Sequence, residues 1–156
     1  MDQWFTGSGC EIKFHQILSL IEEHTFSSGS IFIGTDSFLT KNYCTFATAI
    51  CLHGADEQSG GRYFILKKRT SGKQFKTLLN RILAEVEKTV KLAIKISEEC
   101  PEAKIELHID ISAAGTNTAT GKYADVLTGY AKSAGFSCKI KPNSWAAHSI
   151  ADKHSK

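Results

Sequence analysis

Apolar residues recur at helical spacing between Glu11 and Thr25, where Ile12, Phe14, Ile17, Leu18 and Ile21 predict a short amphipathic helix. Ser27-Ser28-Gly29-Ser30 ends it. The period then changes to two. Ile31–Asp36 predicts a strand, Leu39–Asn42 a turn, and Tyr43–His53 a second strand. A polar, Gly-rich loop from Gly54 to Gly61 leads to a third strand, Arg62–Lys67. Short connections make these three an antiparallel meander. Ser71 and Gly72 open a long helix with one apolar stripe, Phe75, Leu78, Leu79, Ile82, Leu83, Val86, Val90, Ala93 and Ile94. It ends near Cys100-Pro101, because the residue before a proline avoids the helical region.

Lys104–Ile111 alternates again, with Ile105, Leu107, Ile109 and Ile111 on one face and Glu106, His108 and Asp110 on the other. A loop from Ser112 to Asn117 follows, then a helix from roughly Thr118 to Ala134, capped by Gly135. Phe136–Ile140 is a fifth strand. Pro142 and Asn143 turn the chain, and Ser144 is placed to N-cap a last helix running to about His154. The order is helix, then βββ-α-β-α-β-α. That order predicts an α/β fold: a mixed five-stranded sheet with helices on both faces and an extra N-terminal helix.

Composition narrows the class. With 156 residues, 42% apolar and 22% charged, the chain is long enough for one well-filled core. The expectation is a single domain over 1–156, of which 1–29 is a helical extension. No apolar run approaches the roughly 20 residues a membrane span needs. Met1-Asp2-Gln3-Trp4 opens no basic region followed by an apolar block, so no secretory signal is expected. The five cysteines are scattered, with no Cys-x-x-Cys. Buried, reduced thiols in a cytoplasmic protein are the expectation.

Two apolar runs close on an acid: Ile31 to Asp36, and Ile105 to Asp110. Acids are disfavoured inside strands. Two such strands side by side would bring two carboxylates close together, which is unfavourable unless a cation or a shared proton lies between them. The competing reading is that each Asp caps its own local turn. Phosphodiester cleavage needs an activated water and a neutralised leaving oxygen, and two divalent ions roughly 3.5–4 Å apart can supply both. Mg²⁺ or Mn²⁺ takes oxygen ligands, so carboxylates from several elements suit it.

The segments IGTDS, LHIDIS, the Gly-Thr loop after it and KPNSWAAHSIADKHSK resemble the YkuK-type bacterial family of the ribonuclease-H-like superfamily. The resemblance covers nearly the whole chain. It implies the ribonuclease-H-like fold, with acids on the first strand, on the long helix, at the end of the fourth strand and on the last helix. Those positions are Asp36, Glu85 or Glu87, Asp110, and Asp152 with His148 nearby. Helix phase leaves Glu85 and Glu87 open, because both lie about 100° from the stripe centre, on opposite sides. The spacing from Arg81 to Glu85 resembles the family and selects Glu85. Ser112 departs from it, standing where Gly is common. The implied activity is a divalent-metal-dependent nuclease. Asp36, Glu85, Asp110 and Asp152 would hold Mg²⁺ or Mn²⁺, with His148 as a proton shuttle. The alternative is a non-catalytic nucleic-acid-binding module of the same fold.

Net charge is only +3, but the basic residues are unevenly placed. Lys67, Lys68, Arg69, Lys73 and Lys76 cluster, as do Lys139, Lys141, Lys153 and Lys156. A phosphate-tracking face needs such clusters beside an acidic centre, although a solvated surface has them too. Lys68, Arg69, Lys73, Lys141, Asn143, Ser144 and Lys153 are the candidate nucleic-acid contacts. Trp145 suits either base stacking or core packing. His108 suits a hydrogen-bonded interior site better than a ligand position. Gly115 to Lys122 resembles a phosphate loop, but five residues separate the glycines where four are needed, and Tyr123 replaces the Mg²⁺-binding Ser/Thr.

Overall fold

A computed structural model of the protein describes residues 2–116 and 118–156. Met1, and Asn117 at the end of the expected Ser112–Asn117 loop, lie outside the described residues. The strands are β1 (Trp4–Thr6), β2 (Glu11–Ile12), β3 (Ser30–Leu39), β4 (Tyr43–His53), β5 (Arg62–Ser71), β6 (Ile105–His108) and β7 (Ser137–Lys139). The helices are α1 (Phe14–Phe26), α2 (Leu78–Glu99), α3 (Ala124–Ser133) and α4 (Asp152–Ser155). One sheet holds every strand, in the order β2-β1-β5-β4-β3-β6-β7. β3, β4 and β5 are antiparallel, while β6 joins β3, and β7 joins β6, in parallel.

The five expected strands lie side by side within this sheet, but among the described residues its total is seven. β1 and β2 add an edge beyond β5. Trp4 pairs with Leu66 and is buried at 2% exposure, and Ile12 pairs with Trp4. Strands of three and two residues are too short to show a period, so Glu11 and Ile12 read as helix. β5 also runs past Lys67 to Ser71, because backbone pairing with Tyr43–Phe46 continues where the apolar side chains stop. The long helix starts late. Gly72–Phe75 forms a 3₁₀ turn, and the Thr77 hydroxyl then caps α2 by accepting from the Asn80 N–H. A 3₁₀ turn at Gly121–Tyr123 likewise precedes α3. The last helix departs most from expectation: Ala146–Ala151 makes π-helical turns before α4.

The main core lies on one face of the sheet. There Ile17 and Ile21 of α1, Ile82, Val86 and Val90 of α2, and Leu127 and Ala131 of α3 pack on Ile31, Ile33 and Leu107. The opposite face is thinner. Ala146 and Ala151 of the last helix cover Ala49, Cys51 and Ile65, with Phe32, Tyr63 and Trp145 at the margin. All five cysteines are free thiols, and Cys44, Cys51 and Cys100 are buried. Among the described residues no helix is long and apolar enough to cross a membrane.

Candidate active site

β3 is buried on both faces, so its alternating side chains serve two different layers. Ile31, Ile33, Thr35 and Ser37 point toward α2. The Thr35 hydroxyl lies 2.8 Å from that of Thr89, and the Ser37 hydroxyl donates to Glu85 Oε2 at 2.6 Å. Phe32, Gly34 and Asp36 point toward the last helix. Phe32 packs on Trp145, with ring centroids 4.9 Å apart. At Gly34 a Cβ would stand 2.5 Å from the backbone nitrogen of Ala147. Asp36 accepts a hydrogen bond from Ser155 Oγ at 2.8 Å.

Register brings the second acid to the first. In the parallel pair β3–β6, Phe32 faces Glu106 and Gly34 faces His108. Two residues further along each strand are Asp36 and Asp110, on the same face. Regular pairing has ended by then, because β6 stops at His108 and Ile109 donates to the Lys139 carbonyl instead. Asp36 remains buried, at 7% exposure. Burial pushes its carboxyl up to about 7, the Ser155 hydrogen bond partly offsets this, and the neighbouring Asp110 and Asp152 carboxyls raise it further. Asp110 and Asp152 are therefore close enough to Asp36 to oppose its ionisation.

On α2, tertiary packing places the two glutamates that helix phase left open in different environments. Glu85 is buried at 8% exposure. Its carboxyl is held well above the usual range by burial, opposed by the Ser37 hydrogen bond, with the charges of Asp36 and Asp110 raising it further and Arg81 lowering it. Glu87 is exposed and pairs with Lys91 at 2.6 Å.

Two lysines neutralise the rim of this cluster. Lys156 Nζ lies 3.0 Å from Asp152 Oδ1 and donates to its Oδ2 at 3.1 Å. Lys141 Nζ lies 3.1 Å from Asp110 Oδ1, an ion-pair distance without hydrogen-bond alignment, so that buried oxygen has no hydrogen-bond donor. Among the described residues, no three His, Cys, Asp or Glu side chains are arranged to hold a metal ion as they stand. The donor chemistry nevertheless suits a hard divalent cation. Every candidate ligand is a carboxylate oxygen, two of the acids are strongly desolvated, and the orphaned Asp110 Oδ1 has unused acceptor capacity.

The other predicted residues scatter. His148 bonds the Pro142 carbonyl at 3.2 Å and Ser149 at 3.1 Å, and has no hydrogen bond or ion pair to the acids among the described residues. His108 is an interior histidine at 1% exposure, accepting from the Ala146 N–H at Nδ1 and meeting Glu106 at Nε2. Trp145 packs on Phe32, His53 and His108. Ser144 as a surface contact is corrected: its side chain is 0% exposed, buried under the start of the last helix, where a substrate strand cannot reach it. Asn143 is exposed just before the last helix, and Lys153 is exposed on α4. Lys68 pairs with Asp2 at 2.7 Å, while the Arg69 guanidinium lies over the Tyr43 ring at 5.3 Å. Lys73 is exposed on the 3₁₀ turn.

Two supporting residues escaped the sequence reading. Ser37 could have been found by alternation, since the residue after a two-sided strand's Asp must enter the opposite layer. Ser155 stands three residues after Asp152, on the same helical face.

A family model described as Ribonuclease H-like matches residues 13–156. The chain is also similar to a Bacillus subtilis (strain 168) protein called Uncharacterized protein YkuK. The two are 27% identical over 168 aligned residues, covering 96% of this chain and 94% of the relative. No solved structure matches it.

Proposed function

The chain belongs to the ribonuclease H-like family, and on that premise we propose that it hydrolyses phosphodiester bonds in nucleic acid with the help of a divalent cation. One observation carries this reading. Asp110 and Asp152 act on Asp36, and Asp36 and Asp110 act on Glu85, so acids from four segments bear on one centre, and the two most buried of them have raised affinities for a proton. Crowded, desolvated carboxylates lower stability, so a fold that assembles them has a use for them other than stability.

Bound Mg²⁺ or Mn²⁺ would supply an activated water and relieve charge on the leaving oxygen. Asp36 and Asp110 would hold it from the sheet and Glu85 from α2. Asp152 would complete the set from the last helix, once parted from Lys156. Ser155 and Ser37 each engage one oxygen of Asp36 and of Glu85, fixing the rotamers and leaving the second oxygen available. The test is Mn²⁺-dependent cleavage of end-labelled RNA, DNA and hybrid oligonucleotides. Asp36→Asn is expected to abolish cleavage with an unchanged circular dichroism spectrum, and retained cleavage removes the assignment.

A second reading has its own observation. Lys141 and Lys156 already face Asp110 and Asp152. A binding module of this fold, without the reaction, would use such internal cations to neutralise an inherited acidic centre.

A further inference from the structure

A basic concavity lies away from the acids. It is a cleft of about 600 Å³ where the β3–β4 hairpin tip meets the junction of β5 and α2. Lys41, Arg69, Lys73 and Lys76 line it, with Tyr43 and Asn42. None of these four cations pairs with a carboxylate among the described residues. By contrast, Lys68, Lys91, Lys141 and Lys156 elsewhere each have an acid within 3.1 Å. Four unneutralised charges around one concavity repel one another. They focus a positive potential that an anion would relieve.

The cleft also holds an aromatic face. Tyr43 is 49% exposed, and its ring is backed by the Arg69 guanidinium at 5.3 Å. An exposed ring beside phosphate-binding cations is the pairing that takes an unstacked base together with its backbone. A base inside a duplex has both faces covered and cannot use it.

We propose that this cleft binds a single-stranded nucleic-acid segment, its phosphates on Lys41, Arg69, Lys73 and Lys76 and one base on Tyr43. The proposal rests on the nuclease reading only in naming the strand as the substrate's flank. Position along the sheet fits that role. Asp36 is level with Ala47 and Lys67, and Leu39 with Cys44 and Thr70, so the cleft opens three residues further along and two strands across. At about 3.3 Å per residue and about 4.8 Å per strand, this places it roughly 14 Å from Asp36. That is a span of about four stacked nucleotides at 3.4 Å each. A strand held there would cross the acid cluster a few nucleotides away.

Binding is measured in EDTA, so that cleavage does not enter. The probes are fluorescein-labelled oligouridylate and oligothymidylate and a blunt duplex, read by anisotropy from about 50 to 200 mM salt. For the single strands, Lys73→Ala with Lys76→Ala is expected to lower the slope of log affinity against log salt by about 1.4, two contacts at about 0.7 each. Tyr43→Ala is expected to weaken single-strand binding about ten-fold with Tyr43→Phe near wild type, and neither is expected to change duplex binding. An unchanged salt slope in the double variant, or equal affinity of Tyr43→Ala and Tyr43→Phe, overturns the proposal. Since all variants lie on exposed positions outside the acid cluster, a protein that binds this way but never cleaves would sink the nuclease reading and leave the cleft standing.

Discussion

Asp36 is an ionisable group placed where ionisation is disfavoured. Its neighbours are the Ser155 hydroxyl, which favours the charged form, and the Asp110 and Asp152 carboxyls, which oppose it. With no cation bound, its pKa rises from 3.8 to about 7, so the folded protein holds a proton that the unfolded chain releases. Stability from this group is fully present below about pH 4 and is lost as pH rises through about 7. In EDTA, urea unfolding of the wild type is expected to show a fall of roughly 2 kcal/mol between pH 5 and pH 8 relative to Asp36→Asn. Parallel stability curves for the two proteins would show that Asp36 is not desolvated as described. Divalent cations should reverse the trend, because a ligand that needs the carboxylate binds better as the proton leaves.

At the level of elements, the site depends on how closely the last helix approaches β3. Gly34 makes that approach possible. With no side chain there, the helix backbone at Ala146 and Ala147 lies directly on the strand. Ala146, Ala147 and Ala151, all 0% exposed, keep the contact thin. A Cβ at residue 34 would meet backbone atoms, which cannot rotate away as a side chain can. Gly34→Ala is therefore expected to cost about 1–3 kcal/mol in chemical denaturation. It should also move Ser155 and Asp152, whose effects on that carboxyl oppose each other, away from Asp36 and so change its apparent pKa. Loss of stability without any change in the pH profile would separate helix packing from the site. The same close approach explains why helix periodicity described this segment poorly. Small residues spaced for contact with a strand tell nothing of whether turns are α or π.

For the molecule as a whole, α1–α3 and the last helix sandwich the sheet, and the acids come together at one end of β3 from both layers. A cation bound there, as proposed, would change the stability of the entire fold. Millimolar Mg²⁺ or Mn²⁺ is expected to raise the thermal midpoint progressively, following RT ln(1 + [L]/Kd), or about 2.7 kcal/mol at a hundred-fold excess over Kd. Asp36→Asn should remove most of that response. A midpoint indifferent to both ions would favour the binding-module reading, in which Lys141 and Lys156 remain on the acids.

Much of this was legible in the chain itself. The apolar run Ile31–Asp36 and the alternation of Ile105–Ile111 marked two strands with an acid near the end of each, although β3 continues past Asp36 to Leu39 and β6 stops at His108, before Asp110. The α2 stripe likewise marked the long helix. The additional strands Trp4–Thr6 and Glu11–Ile12 were not legible, since segments that short are held by pairing to β5 and to each other rather than by their own pattern. Helix phase did not separate Glu85 from Glu87, and only the Arg81–Glu85 spacing of the family resemblance selected Glu85; in the fold, contact with Ser37 across the sheet separates them. The burial of Ser144 and the direction of His148 depended likewise on how the last helix lies against Gly34. The sequence by itself determined which residues alternate and where the acids fall along their elements. Which of those acids meet, and which cations face them, was decided only by tertiary structure, because proximity between distant residues comes from strand register and layer packing, and neither is encoded in any one segment.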